Sequence, residues 1–317
     1  MSQIASPAEP STLTSADFAV PDSLVDELVR RSARSSYAAD DPVWREIAAK
    51  AIGSRRLGMR RWLRRLLTMG RNAREQDNVR TGYEAHWNLK PTVEQYVASL
   101  NDRIVYAEWR GRGMELAPQA LRQIHMLYLM QAIDAVRPRH VLEVGCGNGN
   151  VVLSLAASFP EIKFTGVELT ESGVAAARAV QDSAELPPAM VAASPRPLVD
   201  LTAHRRVELM VGDARTLPFP DRAFDLVYTR LALEQMEQIR EAALREIARL
   251  AARAVVLIEP WRDFNQRDPG RAYVRRMGYF AGHVADLRRL GFEVKLSTAD
   301  IPQKVQFISG PVAAVRV

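Results

Sequence analysis

The spacing of apolar residues divides the chain into two parts. Along residues 22–137 apolar residues recur every three or four positions, which is the spacing of amphipathic helices. No convincing alternation of apolar and polar residues occurs there, so we predict a helical N-terminal subdomain, residues 21–136, without strands. Residues 1–20 mix Ser, Pro, Ala and Thr without periodicity, and this composition predicts a disordered lead-in.

From His140 onward the period changes. Short apolar runs alternate with helical patterns through residues 137–317, which predicts an α/β fold: a doubly wound, mainly parallel seven-stranded sheet with helices on both faces. The predicted strands are residues 140–144, 163–168, 207–211, 224–229, 254–258, 292–297 and about 305–315.

The composition excludes several classes of protein. With 47% hydrophobic and 25% charged residues, the chain has the balance of an ordinary globular protein. Cys146 is its single cysteine, so no disulfide can form within the chain. No apolar run reaches the roughly 20 residues that cross a bilayer, and residues 1–14 lack the features of a signal peptide. We therefore expect a cytoplasmic protein.

The net charge of +6 is concentrated in one segment, because residues 51–80 alone carry +7. Within it, residues 57–69 predict a helix with Arg60, Arg61, Arg64 and Arg65 on one face and Met59, Trp62, Leu63, Leu66 and Leu67 on the other. Three interpretations stay open. The helix packs on a core with its charged face in solvent, lies peripherally on an anionic membrane, or contacts a phosphate-bearing or nucleic-acid substrate.

A glycine-rich turn follows the first predicted strand of the sheet. It reads Glu143-Val-Gly145-Cys-Gly147-Asn-Gly149. In an open α/β sheet, ligands bind beyond the carboxyl ends of the strands, where the strand order reverses. Glycines permit a tight turn and a close approach of ligand to backbone. A dinucleotide fingerprint would need a glycine at position 150, which here is Asn150, so the turn predicts a different nucleotide cofactor.

Acidic residues end the next two predicted strands. Glu168, 19 residues after Gly149, can accept hydrogen bonds from the hydroxyls of a ribose. It can equally stabilise the amino end of the helix that follows Thr170. Asp213 ends the third strand in the run Gly212-Asp213-Ala214.

Together with the runs Leu217-Pro218-Phe219 and Asp225-Leu226-Val227, these motifs resemble the class I S-adenosylmethionine-dependent methyltransferases over about residues 137–317. The resemblance implies S-adenosylmethionine as the cofactor and no metal ion. It places Glu168 at the ribose and Asp213 near the adenine amino group. The cofactor-binding residues that it implies are Glu143, Gly145, Cys146, Gly147, Gly149, Glu168, Leu169, Asp213, Ala214, Thr229 and Arg230.

The chemistry of methyl transfer demands little beyond alignment. Displacement at a sulfonium releases a neutral group, so the main task is to position the nucleophile, a contribution of up to roughly 7–11 kcal/mol. A general base would add about 10²–10⁴-fold. The candidate bases are Glu259, His283 and His86. Glu259 can instead orient a substrate or a loop, and each histidine can instead be a packed or solvated side chain. Residues 261–280 interleave aromatic residues with arginines, and we interpret them as a lid over the acceptor, with a helix packed on the sheet as the alternative.

The sequence predicts methyl transfer to an oxygen or nitrogen of a small molecule or of a cell-envelope glycan or lipid precursor. An RNA or protein methyltransferase and a non-catalytic cofactor-binding regulator remain alternatives. We do not expect a nucleic-acid partner, because the chain has no Asn/Asp-Pro-Pro-aromatic run of the kind that base-methylating enzymes of this fold use. The acceptor and the oligomeric state are not determined by the sequence.

Overall fold

The structure, a computed structural model, describes residues 12–52, 76–88, 104–267 and 270–317. The predicted basic helix, residues 57–69, lies outside the described residues, as do residues 1–11. The helices are α1 Ser15–Phe18, α2 Asp22–Ser32, α3 Pro42–Ala51, α4 Gln76–Asn88, α5 Pro118–Val136, α6 Asn150–Ser158, α7 Glu171–Gln181, α8 Pro188–Ala192, α9 Arg240–Leu250, α10 Gly270–Met277 and α11 Ala285–Arg289. The strands are β1 Ala33–Ala38, β2 Val105–Trp109, β3 Arg112–Leu116, β4 His140–Val144, β5 Lys163–Glu168, β6 Glu208–Val211, β7 Phe224–Arg230, β8 Ala251–Glu259, β9 Phe292–Ser297, β10 Gln303–Lys304 and β11 Gly310–Arg316. Among these helices, none is both long enough and apolar enough to cross a membrane.

The larger sheet has seven strands in the order β6-β5-β4-β7-β8-β11-β9. Its first five strands run parallel, and β11 is antiparallel to both of its neighbours. This confirms the predicted doubly wound, mainly parallel seven-stranded sheet. The strand order reverses at β4, so the carboxyl ends of β4 and β7 form the crevice in which such sheets bind ligands.

Strand β4 shows why this sheet could be predicted. Its residues from Val141 to Val144 are all buried. Val141 joins the core on the face covered by α5 and α6, whereas Leu142 joins the core on the face covered by α9. A strand covered on both faces reads as a continuous apolar run rather than an alternating one.

The N-terminal region departs from the prediction. Helices α2 to α5 are present, but β1, β3, β2 and β10 form a second, antiparallel sheet in that order, so the prediction of no strands is wrong. The β2–β3 hairpin turns at Arg110 and Gly111, which have positive φ angles of 47° and 72°. Each of these strands has six residues or fewer, and β1 and β10 pair with segments remote in sequence, so local periodicity does not reveal the sheet. Strand β10 crosses the predicted boundary at residues 136/137, and that division into subdomains stays a prediction.

The predicted disordered lead-in is wrong for residues 12–20. Thr14 and Asp17 form a capping box that starts α1. Phe18, only 1% exposed, packs into the same core as Met126 and Leu129 of α5. Leu13 and Val20 are buried as well, and the burial of these apolar side chains stabilises the segment against the domain.

Candidate functional site

The glycine-rich turn is pinned at the carboxyl edge of the sheet. Gly145, Gly147 and Gly149 have φ angles of 80°, 56° and 73°, in the left-handed region that favours glycine. The amides of Gly145 and Cys146 donate to the carbonyl of Val167 at 2.8 and 3.0 Å, which ties the turn to the end of β5. The space is also tight, since a Cβ on Gly145 would lie 2.5 Å from the Cβ of Ala232.

Glu168 braces that turn from β5. Its Oε2 accepts from the amide of Gly147 at 3.0 Å. Its Oε1 accepts from the amide and the hydroxyl of Thr170 at 3.2 and 2.7 Å. Burial raises the pKa of this carboxyl group, which is 8% exposed. A carboxylate has about four acceptor positions, and donors from the described residues use three of them. One position on Oε2 therefore remains, and it could take one ribose hydroxyl.

The amino end of α7 is capped by other residues than Glu168. The Thr170 hydroxyl accepts from the amide of Gly173 at 3.3 Å. The carboxylate of Glu84, from α4, accepts from the amides of Glu171 and Ser172 at 2.9 and 3.1 Å. Glu168 supports this helix end indirectly, because it binds the N-cap residue Thr170 and not the amides of the first turn.

Helix α4 lies across the glycine-rich turn, which the sequence did not predict. A Cβ on Gly147 would lie 2.9 Å from the ring of Trp87, and one on Gly173 would lie 3.2 Å from the same ring. Arg80 donates to the carbonyl of Leu169 at 3.4 Å. The ring of His86 contacts the ring of Trp87 edge-on, with centroids 4.9 Å apart. Trp87 therefore lies between His86 and the glycine-rich turn. In the sequence, the one indication that this helix has a role at the site is the aromatic cluster at residues 83–87.

Asp213 lies beside Glu168 at the same edge, because the amide of Gly212 donates to the Glu168 carbonyl at 2.9 Å. Burial would raise the pKa of Asp213, but hydrogen bonds from Arg215, the shortest at 2.6 Å, lower it. Ala214 is 7% exposed and packs in the core, so only its backbone can face a ligand.

Glu143 and Cys146 have their side chains turned away from solvent. The hydroxyl of Tyr228 donates to Glu143 at 2.9 Å. Burial raises the pKa of Glu143 to about 7, although Tyr228 and the charge of Arg230 oppose the shift. The sulfur of Cys146 packs against Gly166, where a Cβ would lie 2.9 Å from it, and burial raises the pKa of the thiol. Cys146 therefore offers a ligand its backbone.

Glu259 anchors the loop that follows β7. Its Oε1 accepts from the hydroxyl of Thr229 at 2.8 Å and from the amides of Ala232 and Leu233 at 3.0 and 3.1 Å. Its Oε2 accepts from the amide of Glu234 at 3.2 Å. Burial, together with the nearby charge of Glu234, raises the pKa of Glu259 to about 8. These contacts favour a loop-orienting role for Glu259 and direct Thr229 toward it.

His283, the third candidate base, lies on the surface. Its side chain is 54% exposed, and its Nδ1 lies 3.5 Å from Asp263. This contact does not involve the glycine-rich turn. Within the described ranges, no group of three or more His, Cys, Asp or Glu side chains is arranged to hold a metal ion.

A cavity of about 320 Å³ opens next to this edge, and we call it the aromatic cavity. The loop after β7 contributes Leu231 and Glu234 to it. The other walls come from Ile104, Val105, Tyr106, Tyr273, Tyr279, Lys304, Gln306 and Phe307. The aromatic residues of the predicted lid, residues 261–280, have two different surroundings. Tyr273 and Tyr279 line the cavity, whereas Trp261 and Phe280 are fully buried against each other in the core of the sheet.

Residues 142–258 match a family model described as a methyltransferase domain, which confirms the resemblance found in the sequence. An ajmaline N-methyltransferase of Rauvolfia serpentina is 30% identical over 122 residues, 38% of this chain and 35% of the relative. A fatty-acid O-methyltransferase of Mycolicibacterium smegmatis is 34% identical over 102 residues, 32% of this chain and 30% of the relative. The chain thus matches about a third of the length of these relatives. The structure of the 4+2 cyclase SpnF, 18% identical, has the same fold, with a TM-score of 0.51 over 77% of this chain and 96% of that one.

Proposed function

We propose that this chain, whose residues 142–258 match the methyltransferase-domain model, is a class I S-adenosylmethionine-dependent methyltransferase that transfers a methyl group from S-adenosylmethionine to an oxygen or nitrogen atom of a small molecule. The observation that carries the proposal is the glycine-rich turn held against Glu168 at the carboxyl ends of β4 and β5, within the matched segment. Both relatives described above are named for methyl transfer to a small molecule, one to nitrogen and one to oxygen.

The residues at this edge fit the cofactor. Glu168 keeps one acceptor position for a ribose hydroxyl, and Asp213 stands one strand further along, where the adenine would lie. The backbone of the turn from Gly145 to Gly149 would hold the amino-acid end. The ring of Trp87, which lies against Gly147, would then cover the bound molecule. When bound, S-adenosylmethionine supplies a methyl group made electrophilic by its sulfonium.

The protein's own contribution is alignment. The loop after β7 has Ala232 against Gly145 of the turn, and its neighbours Leu231 and Glu234 line the aromatic cavity. A single anchored loop thus separates the cofactor side from the acceptor side. Holding two reactants in register can contribute up to roughly 7–11 kcal/mol. The size of the cavity favours a small molecule over a glycan or lipid precursor, RNA or a protein segment.

The first test is the identity of the cofactor. In calorimetric titrations we expect saturable binding of S-adenosylmethionine and S-adenosylhomocysteine and no binding of NAD, because Asn150 occupies the position where a dinucleotide site has a glycine. Binding of NAD without binding of either sulfur compound would overturn the proposal.

The second test concerns Trp87. Substitution by leucine should weaken binding of S-adenosylhomocysteine by about three- to tenfold, because an aromatic contact contributes roughly 0.5–1.5 kcal/mol beyond its buried area. Trp87→Phe, which keeps a ring, should retain most of the affinity, and thermal melting of both variants controls for folding. Equal affinity in Trp87→Leu and the unmodified protein would show that the ring does not face the cofactor.

A further inference from the structure

One wall of the aromatic cavity consists of three rings in mutual contact. Tyr273 stacks on Phe307 with centroids 5.8 Å apart and planes inclined by 16°. Tyr279 meets both rings edge-on, at 5.7 Å from Phe307 and 5.9 Å from Tyr273. Rings held in this way present a firm apolar surface, which complements a planar ring system by stacking or by edge contact.

Two charged side chains among the described residues line the cavity, Lys304 from β10 and Glu234 from the loop after β7. The Nζ of Lys304 lies 5.5 Å from the centroid of Phe307. Among the described residues Lys304 forms no ion pair, although Glu234 and Arg230 are near enough to influence its pKa. Burial lowers the pKa of Lys304 despite the opposing effect of Glu234, so its ammonium group is incompletely compensated.

We propose that the aromatic cavity binds a one- or two-ring aromatic acceptor, and that the ammonium group of Lys304 pairs with an acidic hydroxyl on its ring. The inference rests on the proposed function, since it assigns the acceptor of that same reaction. The rings of Tyr273, Tyr279 and Phe307 bind the planar part of the acceptor. The ammonium group of Lys304 disfavours a protonated amine at the same place, because the amine would bring a second cation next to it.

The reaction requires the hydroxyl to become a better nucleophile. A phenol loses its proton near pH 10 in water, and an adjacent ammonium group stabilises the phenolate. The proton passes to water. The phenolate oxygen then forms a bond to the methyl carbon while the carbon–sulfur bond breaks, and the electron pair of that bond stays on sulfur. The products are an aryl methyl ether and S-adenosylhomocysteine, and Lys304 keeps its charge throughout.

Three probes with one ring system test the assignment: 1-naphthol, 1-naphthoic acid and 1-naphthylmethylamine. Binding is measured with and without saturating S-adenosylhomocysteine. We expect 1-naphthol to bind more tightly than the amine, and the pKa of the bound naphthol, read from its ultraviolet absorbance, to fall by about one unit or more. In Lys304→Met, affinity for 1-naphthol should fall at least about tenfold and the shift in its pKa should disappear. Lys304→Arg should restore the affinity.

A matched control is Lys163→Met, because Lys163 is exposed at the amino end of β5, the opposite edge of the sheet. It should bind 1-naphthol as the unmodified protein does. Tighter binding of the amine than of the naphthol, a preference for the naphthoic acid with no naphthol binding, or an unaltered affinity in Lys304→Met would each overturn the inference. If S-adenosylhomocysteine binds but 1-naphthol does not, the assignment of the cavity fails and the proposed function stands. If 1-naphthol binds through Lys304 but neither sulfur compound binds, the phenol site stands and the proposed methyl transfer fails.

Discussion

Replacing Glu259 by glutamine is expected to flatten the dependence of the protein's stability on pH between about pH 5 and pH 8. Burial, reinforced by the charge of Glu234, raises the pKa of Glu259 from an ordinary 4.5 to about 8 in the folded protein. Between these two values the folded protein holds a proton that the unfolded chain has released. The free energy of unfolding therefore falls as the pH rises, by up to about 1.4 kcal/mol per pH unit from this one group. Below pH 4.5 both states are protonated, and this loss is absent.

Urea unfolding at pH 5, 6.5 and 8 measures this slope. Other buried groups also titrate there. Glu143, with a pKa raised by burial to about 7, acts in the same direction, whereas the buried His125, whose pKa is lowered, acts in the opposite direction. The informative quantity is thus the difference between the unmodified protein and Glu259→Gln at each pH. Glu161→Gln, at an exposed position, provides the matched control and should leave the slope unchanged.

Glu259→Gln also lowers the free energy of unfolding by an amount that does not depend on pH, and this loss does not affect the test. Its carbonyl can still accept from Thr229, Ala232 and Leu233, but its amide would face the amide of Glu234. That mismatch lowers stability equally at every pH, because neither group titrates. Parallel pH profiles for Glu259→Gln and the unmodified protein would mean that the four donors keep the carboxylate ionised despite its burial.

Glu259 is a buried acid next to the candidate site because it anchors the loop that follows β7. Glu259 ends β8, yet it binds the backbone that follows β7. The same loop places Ala232 against Gly145 and Glu234 at the aromatic cavity. Glu259, whose carboxylate accepts from three amides and a hydroxyl, thus holds the loop between the glycine-rich turn and the aromatic cavity.

The central sheet could be predicted because each of its strands is marked by its own short stretch of sequence. Strands such as β4 are buried on both faces and read as short apolar runs, and β9 has the predicted bounds of 292–297. The small sheet could not be predicted, because β2 and β3 have only five residues each, their buried and exposed positions do not alternate regularly, and their partners β1 and β10 come from distant segments. Tertiary pairing overrides local periodicity in such strands.

The residues of the candidate site likewise fall into those that the sequence could locate and those that it could not. Glu143, Glu168 and Asp213 could be located because each lies at or just past the end of a strand, and the ends of parallel strands meet at one edge. Trp87 and Lys304 could not, because they reach that region from a remote helix and from a two-residue strand. Only the packing of α4 and β10 on the domain brings these side chains to it.

Glu168 is expected to contribute directly to cofactor affinity through the ribose. Loss of a hydrogen bond to a charged group costs about 1.5–3 kcal/mol, so Glu168→Gln should weaken binding of S-adenosylhomocysteine by about ten- to a hundredfold. Glu168→Ala should weaken it at least as much, but it also strands the buried donors of Gly147 and Thr170 and is expected to lower stability. Calorimetry gives the affinities, and Glu171→Ala, three residues away and exposed, should bind normally.

A thermodynamic cycle that combines Glu168→Gln with modified ligands separates two roles of Glu168: contact with the ribose and stabilisation of the glycine-rich turn. Only one acceptor position of Glu168, on Oε2, is left by the donors of Gly147 and Thr170. The unmodified protein should therefore discriminate strongly against one of two analogues, 2′-deoxy or 3′-deoxy S-adenosylhomocysteine, and weakly against the other. In Glu168→Gln that discrimination should shrink, because the coupling between two groups in contact disappears when either is removed. If the variant binds weakly but discriminates as before, Glu168 acts on affinity only by holding Gly147, and the ribose is bound by another residue.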